Sequence, residues 1–136
     1  MAFLHISSGL VDEELEKIMK RKLEEMKSYK EPEILELNDS NFDKAIIGNT
    51  PVIVDFWATW CGPCQFMLPI FERIAKKYKT VRFARLNVDD APGISQRYGV
   101  YSIPTFIVFN NGEPVDKAMG AIGEPGLHML AQKYSQ

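Results

Sequence analysis

Apolar positions recur at two different periods along this chain. Near the front, Leu15, Ile18, Met19, Leu23 and Met26 fall at i, i+3 and i+4 steps, the period of a helix with one apolar face. Asp12 stands in front of them as an N-cap, so the pattern predicts a helix from about Asp12 to Tyr29. Glu13–Lys17, Glu16–Lys20 and Arg21–Glu25 are i, i+4 pairs of opposite charge on the other faces. The apolar stripe has three destinations: the domain behind it, a partner or second copy, or solvent as a frayed arm.

Beyond Glu31-Pro32 the pattern alternates between strand and helix. Ile34–Leu37 reads as a short strand, and Ser40 as the cap of a helix reaching about Ile47. Val52 to Trp57 is an almost unbroken apolar run, as a strand buried on both faces requires. A long helix from about Cys61 to Tyr78 follows, then a strand Val81–Val88 and a short helix Ala91–Tyr98. Thr105–Phe109 is a second buried strand. Asn110-Asn111-Gly112 is a hairpin turn signal, so Glu113–Met119 returns antiparallel. A helix Glu124–Tyr134 closes the chain. The order βαβαβαββα predicts an α/β fold, a central mixed five-stranded sheet flanked by helices, with the amphipathic helix added in front.

Composition supports this organisation. Residues 1–32 carry 6 Lys/Arg and 7 Asp/Glu, against 10 and 11 in residues 33–136. The drop in charge density marks an N-terminal extension (1–32) and a main domain (33–136). A net charge of −2 argues against a nucleic-acid partner. No apolar run approaches the roughly 18 residues of a membrane span, and the front is too short in apolar residues for a signal peptide. The expectation is an unprocessed, cytoplasmic chain with reduced thiols.

The chemistry concentrates at Trp57-Ala58-Thr59-Trp60-Cys61-Gly62-Pro63-Cys64. The only two cysteines lie three positions apart where a buried strand gives way to a helix. A helix N-terminus presents free N–H groups and positive potential to the first sulfur. That favours a Cys61 thiolate as the attacking group, while Cys64, one turn inside, is the more buried and resolves. Gly62 permits close backbone approach, and Pro63 is tolerated in a first turn. Half a zinc site is a weaker reading, since no second such pair exists and His5 and His128 are isolated. Haem attachment needs a histidine where Gln65 stands. Two inert core thiols do not explain the Gly-Pro insert. No metal or bound cofactor is implied; the redox group is the Cys61–Cys64 pair itself.

Val54-Asp55-Phe56-Trp57-Ala58-Thr59-Trp60-Cys61-Gly62-Pro63-Cys64 resembles the active-site segment of thioredoxins. The likeness continues through Leu86-Asn87-Val88-Asp89, Tyr98-Gly99-Val100, Ser102-Ile103-Pro104-Thr105, Asn111-Gly112-Glu113 and Met119-Gly120-Ala121, and spans about Glu33 to Gln136. It implies a thioredoxin fold and a dithiol–disulfide oxidoreductase that reduces disulfides in protein substrates. Its implied electron donor is a thioredoxin reductase, and its implied state a monomer. The rivals are a disulfide oxidase or isomerase on the same fold, and a binding or assembly module docking through the N-terminal helix.

Three further elements take their roles from the resemblance. Asp55 interrupts an apolar strand, which on sequence alone fits either a functional buried acid or a plain hydrogen-bonded one. The resemblance makes it a proton carrier for Cys64, with Arg85 beside it where relatives often have lysine. Pro104 would be trans by default; the resemblance implies a cis bond that aims the Ile103 backbone at the sulfurs and at an extended substrate chain. Trp60, Val88, Ile103, Met119, Gly120 and Ala121 form the implied substrate surface, against the plainer reading of Trp60 and Met119 as core. Gln65 replaces a basic residue common in relatives.

Overall fold

The computed structural model describes residues 2–28 and 34–135, with side chains described at 12–26 and 34–135. By its internal contacts the chain divides into Met1–Glu31 and Pro32–Gln136. The local structure at Tyr29, Glu31-Pro32 and Glu33, where the sequence suggests a helix end and a domain junction, lies outside the described residues.

The first unit is helix α1 (Ala2–Ser28). It begins ten residues before the expected Asp12 cap, which therefore sits in the helix interior. Ser7, Ser8 and Gly9 are no barrier: each costs about 1 kcal/mol or less relative to alanine, and no proline lies between Ala2 and Ser28. Leu15, Ile18, Met19, Leu23 and Met26 are all exposed on it.

The second unit follows the expected order. Its elements are β1 (Ile34–Leu37), α2 (Phe42–Ala45), β2 (Val52–Trp57), α3 (Gly62–Lys77), β3 (Arg82–Asn87), α4 (Pro92–Arg97), β4 (Thr105–Asn110), β5 (Glu113–Met119) and α5 (Gly123–Tyr134). The sheet order is β1-β3-β2-β4-β5. β1 and β2 run parallel to β3, while β4 runs antiparallel to β2 and to β5. Asn111 and Gly112 both take positive φ, 54° and 84°, so the hairpin turn uses the two residues best able to do so. Pro114 costs little because β5 is an edge strand. Ser40 does not cap α2. Asn38 organises that turn instead: its Oδ1 accepts from Ser40 N, Ser40 Oγ and Asn41 N. The Asn38 side chain thus closes the turn ahead of α2, its backbone carbonyl accepts from Phe42 N at 3.1 Å, and among the described residues no side chain caps the helix.

Strand alternation divides the core into two layers. Ile53, Phe83, Phe106 and Val108 face α3 and α5, packing with Met67, Phe71, Ile74 and Leu127. Val52, Val54, Phe56, Ala84, Leu86, Ile107 and Phe109 face the other way, toward Phe42 and Ile46 around α2 and Ile94 on α4. β2, buried on both faces, is the strand that delivers the chain to the cysteines.

Candidate active site

β2 ends at Trp57, whose carbonyl accepts from Val88 N at 2.8 Å. The chain then turns through Ala58–Trp60 into α3, with Cys61 as its N-cap in an extended conformation (φ −92°, ψ 108°). Cys61 Sγ accepts from Cys64 N at 3.2 Å, so one free N–H of the helix start points at the first sulfur. Pro63, in the first turn, gives up no helical bond. The two cysteines form a disulfide with Cα atoms 5.2 Å apart. Cys61 retains 5% of its surface and Cys64 none, so Cys64 is the more deeply buried of the two. A Cβ placed on Gly62 meets nothing within 4 Å. Among the described residues no contact requires glycine there.

Around the pair, Ala58, Cys61 and Cys64 make a small buried cluster, with Trp57, Val88 and Ile103 packed against it. The Ile103–Pro104 bond is cis, and Cys61 Sγ lies 3.8 Å from the Ile103 carbonyl oxygen. Pro104 is buried, and its carbonyl accepts from Gly120 N at 2.8 Å, which ties the Met119-Gly120-Ala121 segment to the same rim. Gly120 has φ +91°, a conformation that disfavours any side chain. Trp60 is 71% exposed and Met119 63%, so neither is a core residue. Ala121 is exposed as well. Trp60 is steadied by a 2.8 Å hydrogen bond from Nε1 to Asp89 Oδ2. Gln65 is exposed and turns back to the Thr59 carbonyl, 3.4 Å from Nε2.

Asp55 occupies the α3/α5 face of β2 and is wholly buried. Parallel register places it opposite Arg85 on β3. Arg85 Nε is 3.5 Å from Asp55 Oδ2, longer than a good hydrogen bond, and among the described residues neither carboxylate oxygen has a hydrogen-bond partner. Burial pushes the Asp55 pKa up; Arg85 pulls it down and Glu36 adds to the rise, leaving it at about 7. Desolvation thus outweighs the adjacent cation. The Arg85 guanidinium carbon lies 4.0 Å from the centre of the Trp57 ring.

Trp57 lies in the segment the sequence singles out, which assigns it no role. It touches both the cysteine cluster and Arg85, and so joins the sulfurs to the buried acid. Its signal was its place two residues after Asp55, on the same strand face. Asp89, anchor of Trp60, is the second addition. Among the described residues no group of three His, Cys, Asp or Glu is arranged to hold a metal, and no helix is long and apolar enough to cross a membrane.

A family model described as Thioredoxin matches residues 33–133. "Thioredoxin M-type, chloroplastic" of Pisum sativum is 43% identical over 104 residues, 75% of this chain and 60% of the relative, so the chain spans less than two thirds of that protein's length. "Thioredoxin" of Porphyra purpurea is 40% identical over 103 residues, 74% of this chain and 96% of the relative. Among solved structures, Plasmodium falciparum thioredoxin aligns with a TM-score of 0.71 at 36% identity, covering 75% of this chain and all of that one.

Proposed function

The chain belongs to the thioredoxin family, and from that premise we propose that it reduces disulfides in other proteins through Cys61 and Cys64. The observation that carries the proposal is the disulfide at the N-terminus of α3, in which Cys61 keeps a small exposed remnant and Cys64 none. In the reduced form, the Cys61 thiolate attacks a substrate sulfur, the substrate disulfide breaks, and its second sulfur leaves as a thiolate. Cys64 then loses its proton and attacks Cys61 Sγ, releasing the first substrate sulfur. Two electrons pass to the substrate, and the chain is left as the Cys61–Cys64 disulfide. A second reductant, on this reading a thioredoxin reductase, returns the pair to the dithiol.

Asp55 is proposed to accept the Cys64 proton. Its pKa of about 7 is raised chiefly by burial, so both protonation states are available near neutral pH, as an acid–base group needs. Gly62, Pro63 and Arg85 are proposed to tune the pair. Trp60, Val88, Ile103, Pro104, Met119, Gly120 and Ala121 are proposed to receive the substrate chain. Support comes from the exposure of Trp60 and Met119 beside a backbone segment that lies against Cys61.

All these residues lie in 33–136, so the proposal makes residues 1–32 dispensable for the chemistry, with α1 free to serve as a partner contact. A monomer is sufficient for the same reason. The electron supply requires a reducing compartment such as the cytoplasm, although relatives named as chloroplastic share the domain.

The test is dithiothreitol-dependent insulin reduction by the wild type, both Cys→Ser variants and a chain lacking residues 1–32. Cys64→Ser should trap substrates as mixed disulfides on Cys61, and the shortened chain should keep the wild-type rate. Trapping by Cys61→Ser instead would reverse the nucleophile assignment.

A further inference from the structure

We propose that Trp57 is a positioning residue for Arg85: the indole face holds the guanidinium and keeps it from closing a two-point pair with Asp55. The inference rests on the reading of Asp55 as the proton carrier, and it gives that carrier a device that keeps it protonatable.

Arg85 is buried, and a guanidinium is a planar fork of donors suited to a carboxylate. A buried guanidinium opposite a buried carboxylate ordinarily closes a fork of two parallel hydrogen bonds. Here the register is right, Asp55 against Arg85 on neighbouring parallel strands, yet the fork is not made. Only Nε comes within 3.5 Å of Oδ2. Asp55 Oδ1 and Oδ2 and Arg85 Nε and Nη2 are all buried, with no hydrogen-bond partner among the described residues. The guanidinium lies instead 4.0 Å from the Trp57 ring centre, a contact range in which a cation is held by the ring's negative face. Trp57 stands two residues after Asp55 on β2, so Arg85 reaches it along the diagonal of one sheet face. A lysine ammonium lacks the flat surface for this stacking, which makes the arrangement particular to arginine.

The other groups around Asp55 do not account for the open fork. Glu36 on β1 stands opposite Arg85 and is exposed. Phe106 is the partner of Asp55 on β4. On this face α5 presents Leu127, Leu130 and Ala131 and α3 presents Met67, Phe71 and Ile74, none of them charged. Arg85 and Glu36 are the charged groups that act on the carboxyl.

The experiment follows the Asp55 carboxyl by carbon-13 NMR titration of the oxidised protein. Trp57→Leu removes the ring and frees Arg85 to pair, so the Asp55 midpoint should fall by about one pH unit or more, at least tenfold weaker proton binding. Trp57→Phe keeps a π face and should hold the midpoint near wild type. Adding Arg85→Met to Trp57→Leu should raise it again. A Trp57→Leu midpoint that is unchanged or higher overturns the proposal. Wild-type protein gives an answer if the leucine variant does not fold. Its Arg85 guanidinium resonances should stay shifted upfield by the indole on both sides of the Asp55 titration. Movement to a downfield, carboxylate-bonded position as Asp55 ionises overturns the clamp. The proton-carrier reading fails separately, if Asp55→Asn reduces insulin at the wild-type rate; that result leaves the carboxyl titration unaffected.

Discussion

Replacing Asp55 with asparagine should make the protein more stable at alkaline pH while slowing the resolving step. The carboxyl has no accessible surface, and burial moves its pKa from 3.8 to about 7 despite Arg85. The unfolded chain releases this proton near pH 4. The folded chain keeps it until near pH 7, so between those values the native state binds more protons. Stability must therefore fall as pH rises through that window and level off above it. The interval from 3.8 to about 7, at about 1.4 kcal/mol per pH unit, makes the loss ~4 kcal/mol, a large part of the ~5–15 kcal/mol that holds a domain together. Asparagine imitates the protonated carboxyl in shape and charge. The protonated wild type already accommodates Arg85 beside a neutral partner, so the variant adds no new unpaired cation. At pH 8.5 Asp55→Asn should recover most of the ~4 kcal/mol, and near pH 4.5 the gap should narrow to about 1 kcal/mol. Asp116 does not confuse the measurement. Its pKa is pushed up by burial but lowered overall by hydrogen bonds from Lys133, Tyr134 and the Lys117 N–H, so its contribution is lost only as pH falls below the ordinary carboxylate range. The assay is urea unfolding of the oxidised proteins at half-unit steps from pH 4.5 to 8.5, read by tryptophan fluorescence. A wild type equally stable across that range, or a variant that keeps the wild-type slope, would refute the assignment of the buried charge.

Other expectations follow from the same geometry. Trp60→Ala removes an exposed ring and one hydrogen bond to Asp89, so unfolding free energy should change by less than about 1 kcal/mol. KM for a protein disulfide should rise about fivefold or more, as for an interface anchor. Phe71 is fully buried between Phe83 and Phe106, with ring centres 5.3 and 5.9 Å away; Phe71→Ala should cost ~3–5 kcal/mol in urea unfolding. Gly120→Ala forces a side chain to φ +91°, so it should lose about 1 kcal/mol or more of stability and raise KM, with kcat less affected.

What could be read in the sequence was what depends on near neighbours. Val52–Trp57 announces a central strand because burial on both faces permits almost no polar residue, and Asn111-Gly112 announces the hairpin because few other pairs accept two positive φ angles. The cysteine pair was legible because its spacing and its strand–helix junction sit within eight residues of chain. Helix ends fared worse. The start of α1 and the capping of α2 turn on contributions near 1 kcal/mol, where Asn38 can displace Ser40 without any change in the larger pattern. The role of Trp57 was hidden for a different reason: it depends on Arg85, twenty-eight positions along, and on a strand register that spacing does not reveal. A clue was nonetheless present. Asp55 is the one charge in the apolar run Val52–Trp57, and Arg85 stands between apolar neighbours in Phe83-Ala84-Arg85-Leu86. Two such strands joined by one helix pair in parallel, and each charge would bear its own desolvation if they did not meet. Opposite charges buried in adjacent strands therefore argue for each other, and the flat ring two residues beyond the acid is the natural surface for an arginine that meets its carboxylate without fully engaging it.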